Sequence, residues 1–268
     1  MSSASEEVAK GVPLDPALRS ARDSGRKLLV TYVTGGLGSD WTVALEAMIA
    51  AGADAVEIGL PFSDPVMDGP TIQEASVQAL AAGATPPAIL DELARLEPGV
   101  PLVAMTYYNL VFRAGHHRFA TMLAGAGVRG AILPDLPLEE SAGWETDAAE
   151  AGVETVLLAS PVTPDERLAE ICERSRGFVY GVNLMGVTGE RDTLAKSASV
   201  LAKRLKATTD KPVVMGFGIS TPDQAVAAAA ESDGVVVASA LMRLLLSGAG
   251  PAAVGDAVAA IRGALDRG

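Results

Sequence analysis

The stretch ETVLLASPVTPDERLAEICERSRGFVYGVNL (154–184) holds one complete structural unit. ETVLLAS (154–160) is a short apolar, β-branched run of buried-strand type. Thr163-Pro164-Asp165 supplies a helix start, with proline where its missing N–H does no harm. DERLAEICERS (165–175) reads as helix, and FVYGVNL (178–184) as the next strand.

Outward from this unit the same alternation fills the chain. The other strand-like runs are LLVTYVT (28–34), AVEIGL (55–60), PLVAMTYY (101–108), GAILPD (130–135), PVVMGFG (212–218) and GVVVAS (234–239), eight in all. Helix-like segments include WTVALEAMIAAG (41–52), RFATMLAGAG (118–127) and DQAVAAAAES (223–232). Ser39-Asp40 and Thr221-Pro222-Asp223 carry further helix starts. The pairs Ala51-Gly52, Ala126-Gly127 and Ala151-Gly152 read as helix stops. Eight strand–helix units in roughly 250 residues predict a (β/α)8 TIM barrel. An open doubly wound sheet is the alternative, with fewer strands. The expectation is a single domain over 1–268, an extra N-terminal helix over 14–27 across the barrel's bottom, and a flexible first dozen residues.

Composition agrees. Hydrophobic residues make up 49% of the 268, enough for a large core, and aromatics only 4%. A net charge of −12 argues against nucleic acid and anionic membrane surfaces, which select basic footprints. The one cysteine, Cys172, rules out an internal disulfide and reads as core filling. The start MSSASEEVAKGVPLDPALRS lacks a secretory pattern, and no run of ~18 apolar residues predicts a membrane helix. A cytoplasmic enzyme is expected.

In such a barrel the chemistry sits at the C-terminal strand ends. AVEIGLPFSDPVMDGPTIQ (55–73) is the richest of these ends. Alternation puts Val56 and Ile58 on one face and Ala55, Glu57 and Gly59 on the other. With the aliphatic pair toward the helices, Glu57 points inward, where lost hydration raises a carboxyl pKa toward neutrality. A structural glutamate held by internal hydrogen bonds is the competing reading. Asp68 follows in a loop punctuated by Pro61, Pro65, Gly69 and Pro70, a second acid–base group or an ordinary turn residue. GVTGE (186–190), GFGIS (216–220) and ASALMR (238–243) follow three successive strands, and their small residues suit a phosphate, with the Ser239 hydroxyl at a helix start. His116-His117 reads as a surface pair rather than a metal site, and no metal is expected. Asp135 ends the fourth strand on the active side, its partner open.

The motif LPFSDPVMDGPTIQ resembles the tryptophan synthase α subunit family, and the resemblance runs from about Leu28 to the end. MTYYNLVFRAG (105–115), ILPDLPLEES (132–141), TPDERL (163–168), GFVYGVNLMGVTG (177–189) and GFGIS (216–220) carry it further. The resemblance implies retro-aldol cleavage of indole-3-glycerol phosphate to indole and glyceraldehyde 3-phosphate. It implies Glu57 as catalytic acid/base and Asp68 as the carboxylate on the indole N–H. Tyr32 matches an aromatic over the indole, while Tyr180 and Thr188 match residues beside the catalytic pair. Gly189, Gly218, Ala238 and Ser239 match phosphate-binding positions. Asp64, Pro65 and Asn109 match positions facing a β subunit, which in the family carries the pyridoxal phosphate. An α2β2 tetramer follows from the same likeness, with no cofactor in this chain.

Departures lie at Gly35-Gly36-Leu37-Gly38, where the family reads close to AGDP, at Asn183 for a serine, and at Ala238 for a glycine. None touches Glu57 or Asp68. Loops 60–75 and 185–196 are rich in glycine and polar residues and are expected to be mobile without ligand. A stand-alone lyase releasing free indole, a non-catalytic regulatory homologue and a generic phosphosugar isomerase are the alternatives.

Overall fold

The computed structural model describes residues 10–182, 191–216 and 218–268, with 191–195 described by backbone alone. The order is α1 (Leu14–Asp23), β1 (Leu28–Thr34), α2 (Trp41–Ala50), β2 (Ala55–Gly59), α3 (Pro70–Ala81), α4 (Pro86–Leu93) and β3 (Leu102–Met105). It continues with α5 (Tyr108–Ala114), α6 (His116–Gly125), β4 (Val128–Ile132), α7 (Ala142–Glu150), β5 (Glu154–Ala159), α8 (Asp165–Arg174) and β6 (Val179–Val182). It ends with α9 (Arg191–Thr208), β7 (Val213–Gly216), α10 (Pro222–Ala229), β8 (Gly234–Val237), α11 (Ser239–Leu246) and α12 (Gly250–Leu265). The eight strands are parallel and close in sequence order, β1 pairing with both β2 and β8. This is the expected (β/α)8 barrel.

Two apolar layers result from strand alternation. Leu29, Val33, Val56 and Ile58 face outward into the packing between sheet and helices. Leu28, Val30, Ala55, Val103, Ile132, Val156 and Val214 fill the barrel's interior. Leu14 and Leu18 of α1, both fully buried, close that interior from below. Glu154 ties α1 down by accepting the Asp15 N–H at 2.9 Å. The helix predicted over 14–27 thus exists and plugs the bottom, but it ends at Asp23, because Gly25 at φ +88° cannot continue it.

Several predicted boundaries shift. The run 101–108 is strand only to Met105, and its last residue opens α5. The strand read at 130–135 starts two residues earlier, at Val128, and stops at Ile132, before Pro134. Residues 70–75 and 191–196, read as loop, belong to α3 and α9, while 185–190 lies outside the described residues. Of the three helix starts, only Thr221 caps by side chain, its Oγ1 accepting the Gln224 N–H at 3.3 Å. Thr163 instead accepts the Ser160 N–H at 3.0 Å and shapes the loop before α8. The Ala-Gly stops hold: Gly52, Gly127 and Gly152 all have positive φ immediately after helix C-caps.

Candidate active site

Register brings the mouth of the barrel together. Tyr32 of β1 stands opposite Glu57 of β2, so both side chains point inward. Tyr180 of β6 enters the same interior from the far side. Each tyrosine lies across a glycine on its neighbouring strand. A Cβ on Gly59 would sit 1.8 Å from the Tyr32 hydroxyl, and one on Gly216 would sit 2.6 Å from the Tyr180 ring. Both rings are buried. The Thr34 hydroxyl donates to the Tyr32 hydroxyl at 3.3 Å.

Glu57 is 1% exposed, and its Oε1 has no hydrogen-bond partner among the described residues. The competing reading, a structural carboxyl satisfied by internal bonds, does not describe this oxygen. Burial pushes the Glu57 pKa up to about 8. Asp68, on the loop between β2 and α3, is raised to about 6 by burial, against the neighbouring Tyr107 phenol, which lowers it. The loop is braced by Gln73 of α3, whose Nε2 donates to the Asp68 carbonyl at 2.9 Å.

Tyr107 stands in this site beside Asp68 and was missed by the sequence reading. Its ring stacks on Phe62 with centroids 5.1 Å apart, and its hydroxyl accepts the Met67 N–H at 2.9 Å. The same hydroxyl lies beside Asp68 and lowers its pKa. The available signal was MTYYN itself, an aromatic directly after a strand on the active side. Met105, Leu158 and Val182, half-buried against the interior cluster, also escaped notice as apolar lining.

The proposed phosphate positions fall on one side of the mouth. Gly218, after β7, has φ +67° with open space where a side chain would be. Ala238 is the N-cap of α11 and makes no side-chain cap bond, and Ser239 is the helix's first residue. Leu241 and Met242 donate to the Ala238 carbonyl, leaving the first N–H groups of the helix directed outward. Thr188, Gly189 and Asn183 lie outside the described residues.

Asp64 and Asn109 are exposed and Pro65 half-buried, on the loop after β2 and on α5. Asp135 accepts the Tyr108 N–H at 2.8 Å, so its open partner is the start of α5. Cys172 is buried in the packing of α8, as expected. The histidine pair departs from expectation: His116 is half-buried and bonded to the Tyr108 hydroxyl at 2.9 Å. His117 shares a corner with Asp147 and Glu150 of α7, donor atoms within 4.8 Å of one another, which the local sequence could not show. A cleft of about 720 Å³ lined by Gly36, Trp41, Glu92 and Arg95 lies outside the barrel and includes none of the carboxylate site.

The sequence pattern of the tryptophan synthase alpha chain matches residues 18–261. The chain belongs to the tryptophan synthase alpha chain family. A family relative from Streptomyces avermitilis is 42% identical over 272 residues, covering 100% of this chain and 98% of its own. One from Gloeobacter violaceus is 45% identical over 226 residues, covering 82% of each. Among solved structures, the tryptophan synthase subunit alpha of Legionella pneumophila superposes with a TM-score of 0.87 at 31% identity, over 95% of this chain and 98% of that one. A chain of Mycobacterium tuberculosis tryptophan synthase gives 0.87 at 36% identity, over 96% and 99%. No helix among the described residues is long and apolar enough to cross a membrane.

Proposed function

We propose that Glu57 and Asp68 are the acid–base pair with which this member of the alpha chain family performs its lyase reaction, the cleavage of indole-3-glycerol phosphate. The observation that carries this reading is the separation of their pKa values, about 8 and about 6, in one barrel mouth. At pH 7 Glu57 then holds its proton while Asp68 is ionised, so one residue gives a proton while the other accepts a hydrogen bond.

Cleaving the bond between indole C3 and the side chain requires a proton on C3. Asp68 accepts the indole N–H and stabilises the positive charge that develops on the ring nitrogen. Glu57 delivers its proton to C3. As a carboxylate it then takes the proton from the hydroxyl on the adjacent side-chain carbon. The electrons left on that oxygen form the aldehyde carbonyl as the carbon–carbon bond breaks and the ring regains its aromaticity. Glu57 ends protonated, as it began. No metal or organic cofactor enters this sequence.

Tyr32 and Tyr180 flank the ring, and Gly218, Ala238 and Ser239 take the phosphate. Thr188 and Gly189 complete the reading from the resemblance alone. The rim at Asp64, Pro65 and Asn109 receives a β subunit, in an α2β2 assembly in which that partner holds pyridoxal phosphate. Val66 and Met67 beside Asp64, and Phe112 one turn from Asn109, are exposed apolar side chains that support a docking rim there. The setting is cytoplasmic, with neither nucleic acid nor membrane as partner, and the chain works as one domain.

The test is indole release from indole-3-glycerol phosphate, with and without excess β subunit. Asp68→Asn should abolish most cleavage while leaving glycerol 3-phosphate binding nearly intact. Full activity in Asp68→Asn would refute the assignment. A slow rate raised ten-fold or more by the β subunit, about 1.4 kcal/mol of barrier, identifies the partnered enzyme. A brisk rate indifferent to it identifies the self-sufficient lyase.

A further inference from the structure

Arg243 stands one helical turn beyond Ser239 on α11. Long side chains on a helix lean back toward its N-terminus, and this one does. Its Nη2 donates to the Ser220 hydroxyl at 3.2 Å, in the loop that follows β7. Ser220 passes its own hydroxyl proton to the Gly218 carbonyl at 3.2 Å, and its N–H donates to Gln224 Oε1 at 2.8 Å. An unbroken run of hydrogen bonds therefore joins α11 to Gly218.

Arg243 takes part in none of the ion pairs among the described residues, although the chain carries a net charge of −12. A guanidinium tethered by a neutral hydroxyl keeps its charge uncompensated, and it presents several donors in a fork suited to phosphate oxygens. The two backbone segments that it links are the ones assigned above to the phosphate.

We propose that Arg243 is a phosphate-positioning residue. It holds the β7–α10 loop to α11 through Ser220 and places a cation beside the site of the phosphate monoester dianion. This rests on the phosphate assignment of the preceding section and adds to it the one side chain that fixes both loops at once. The bond to Ser220 sets where the Gly218 N–H lies, and the charge favours the dianion without needing to touch it.

The experiment measures the dissociation constants of sn-glycerol 3-phosphate and of indole, together with steady-state cleavage, for wild type, Arg243→Ala, Arg243→Lys and Ser220→Ala. Arg243→Ala should weaken glycerol 3-phosphate and raise KM for indole-3-glycerol phosphate about ten-fold, the loop tether and the nearby charge being lost together. Its kcat should move less than about two-fold, because the reacting atoms are remote from the phosphate. Indole carries no phosphate and should bind as before. Arg243→Lys should recover most of the loss, and Ser220→Ala, which keeps the charge but frees the loop, should lose about three-fold. Added salt should weaken glycerol 3-phosphate more in wild type than in Arg243→Ala. Wild-type affinity for glycerol 3-phosphate in Arg243→Ala overturns the proposal, as does an equal loss of indole binding, which would mean general damage. A wild type that binds indole but not glycerol 3-phosphate removes the phosphate assignment itself, and the role of Arg243 falls with it.

Discussion

The hydroxyl of Tyr107 stands beside the carboxyl of Asp68 and opposes the rise in pKa that burial causes there. The same hydroxyl accepts the Met67 N–H at 2.9 Å, from the residue just before Asp68. One phenol at the head of α5 therefore holds the backbone of the loop that presents the second carboxylate and tunes that carboxyl. Its stack on Phe62, with centroids 5.1 Å apart, holds the phenol in place.

Tyr107→Phe keeps the stack and removes the hydroxyl. The Tyr107 hydroxyl lowers the Asp68 pKa, so its loss moves that pKa further above about 6. The acid limb of kcat/KM should shift to higher pH, and activity at pH 7 should fall about ten-fold. A pH–rate profile checks this; an unmoved acid limb would show that the hydroxyl does not tune Asp68.

In the wild type, kcat/KM should be bell-shaped. It should rise as Asp68 ionises near 6 and fall as Glu57 loses its proton near 8. The limbs belong to different residues, so Glu57→Asp should move the alkaline one alone. A profile flat from pH 5 to 9 would contradict the assignment of roles.

Glu57 also sets a stability trend. Its folded pKa, about 8, exceeds the ordinary glutamate value of 4.5, so between these values the folded state binds more proton than the unfolded one. Stability is therefore lost as pH rises from about 4.5 through about 8. Glu57→Gln removes that dependence. It should stabilise the protein by on the order of 4 kcal/mol at pH 8 and by little at pH 4.5. Denaturant unfolding at the two pH values decides it; equal effects at both would mean the carboxyl is not buried neutral.

Gly59→Ala should disturb the first tyrosine. The added methyl would fall 1.8 Å from the Tyr32 hydroxyl, so the ring must leave its place or the strands must part. Overpacking of this kind costs about 1–3 kcal/mol. A lower Tm together with a weaker indole affinity is expected, read by calorimetry and by titration with indole. Unchanged indole binding would place Tyr32 away from the ring.

What the sequence could show was whatever depends on neighbours along the chain. The alternation in AVEIG was enough to turn Glu57 inward, and the structure puts Val56 and Ile58 in the outer layer as that pattern requires. The Ala-Gly stops were legible because they involve only a few consecutive residues. Tyr107 was not, since its meaning depends on a loop that follows a different strand. Asp135 likewise gained its partner, the N–H of Tyr108, only when β3 and β4 came side by side. Helix α3 was hidden by the same prolines and glycines that marked its preceding loop, Pro70 being its first residue rather than a breaker. Thr163 shows the reverse error, a sound capping signal drawn off by Ser160.

The unpartnered Oε1 of Glu57 bears on how a single group can serve two atoms in turn. A carboxyl clasped by a neighbour would have to break that clasp each time it swung from a ring carbon to a side-chain oxygen, and the break would add to the barrier. Nothing among the described residues clasps that oxygen of Glu57, so no such bond has to break as the carboxyl turns. The loneliness that makes it an expensive ornament for a resting protein is what lets it shuttle within one turnover.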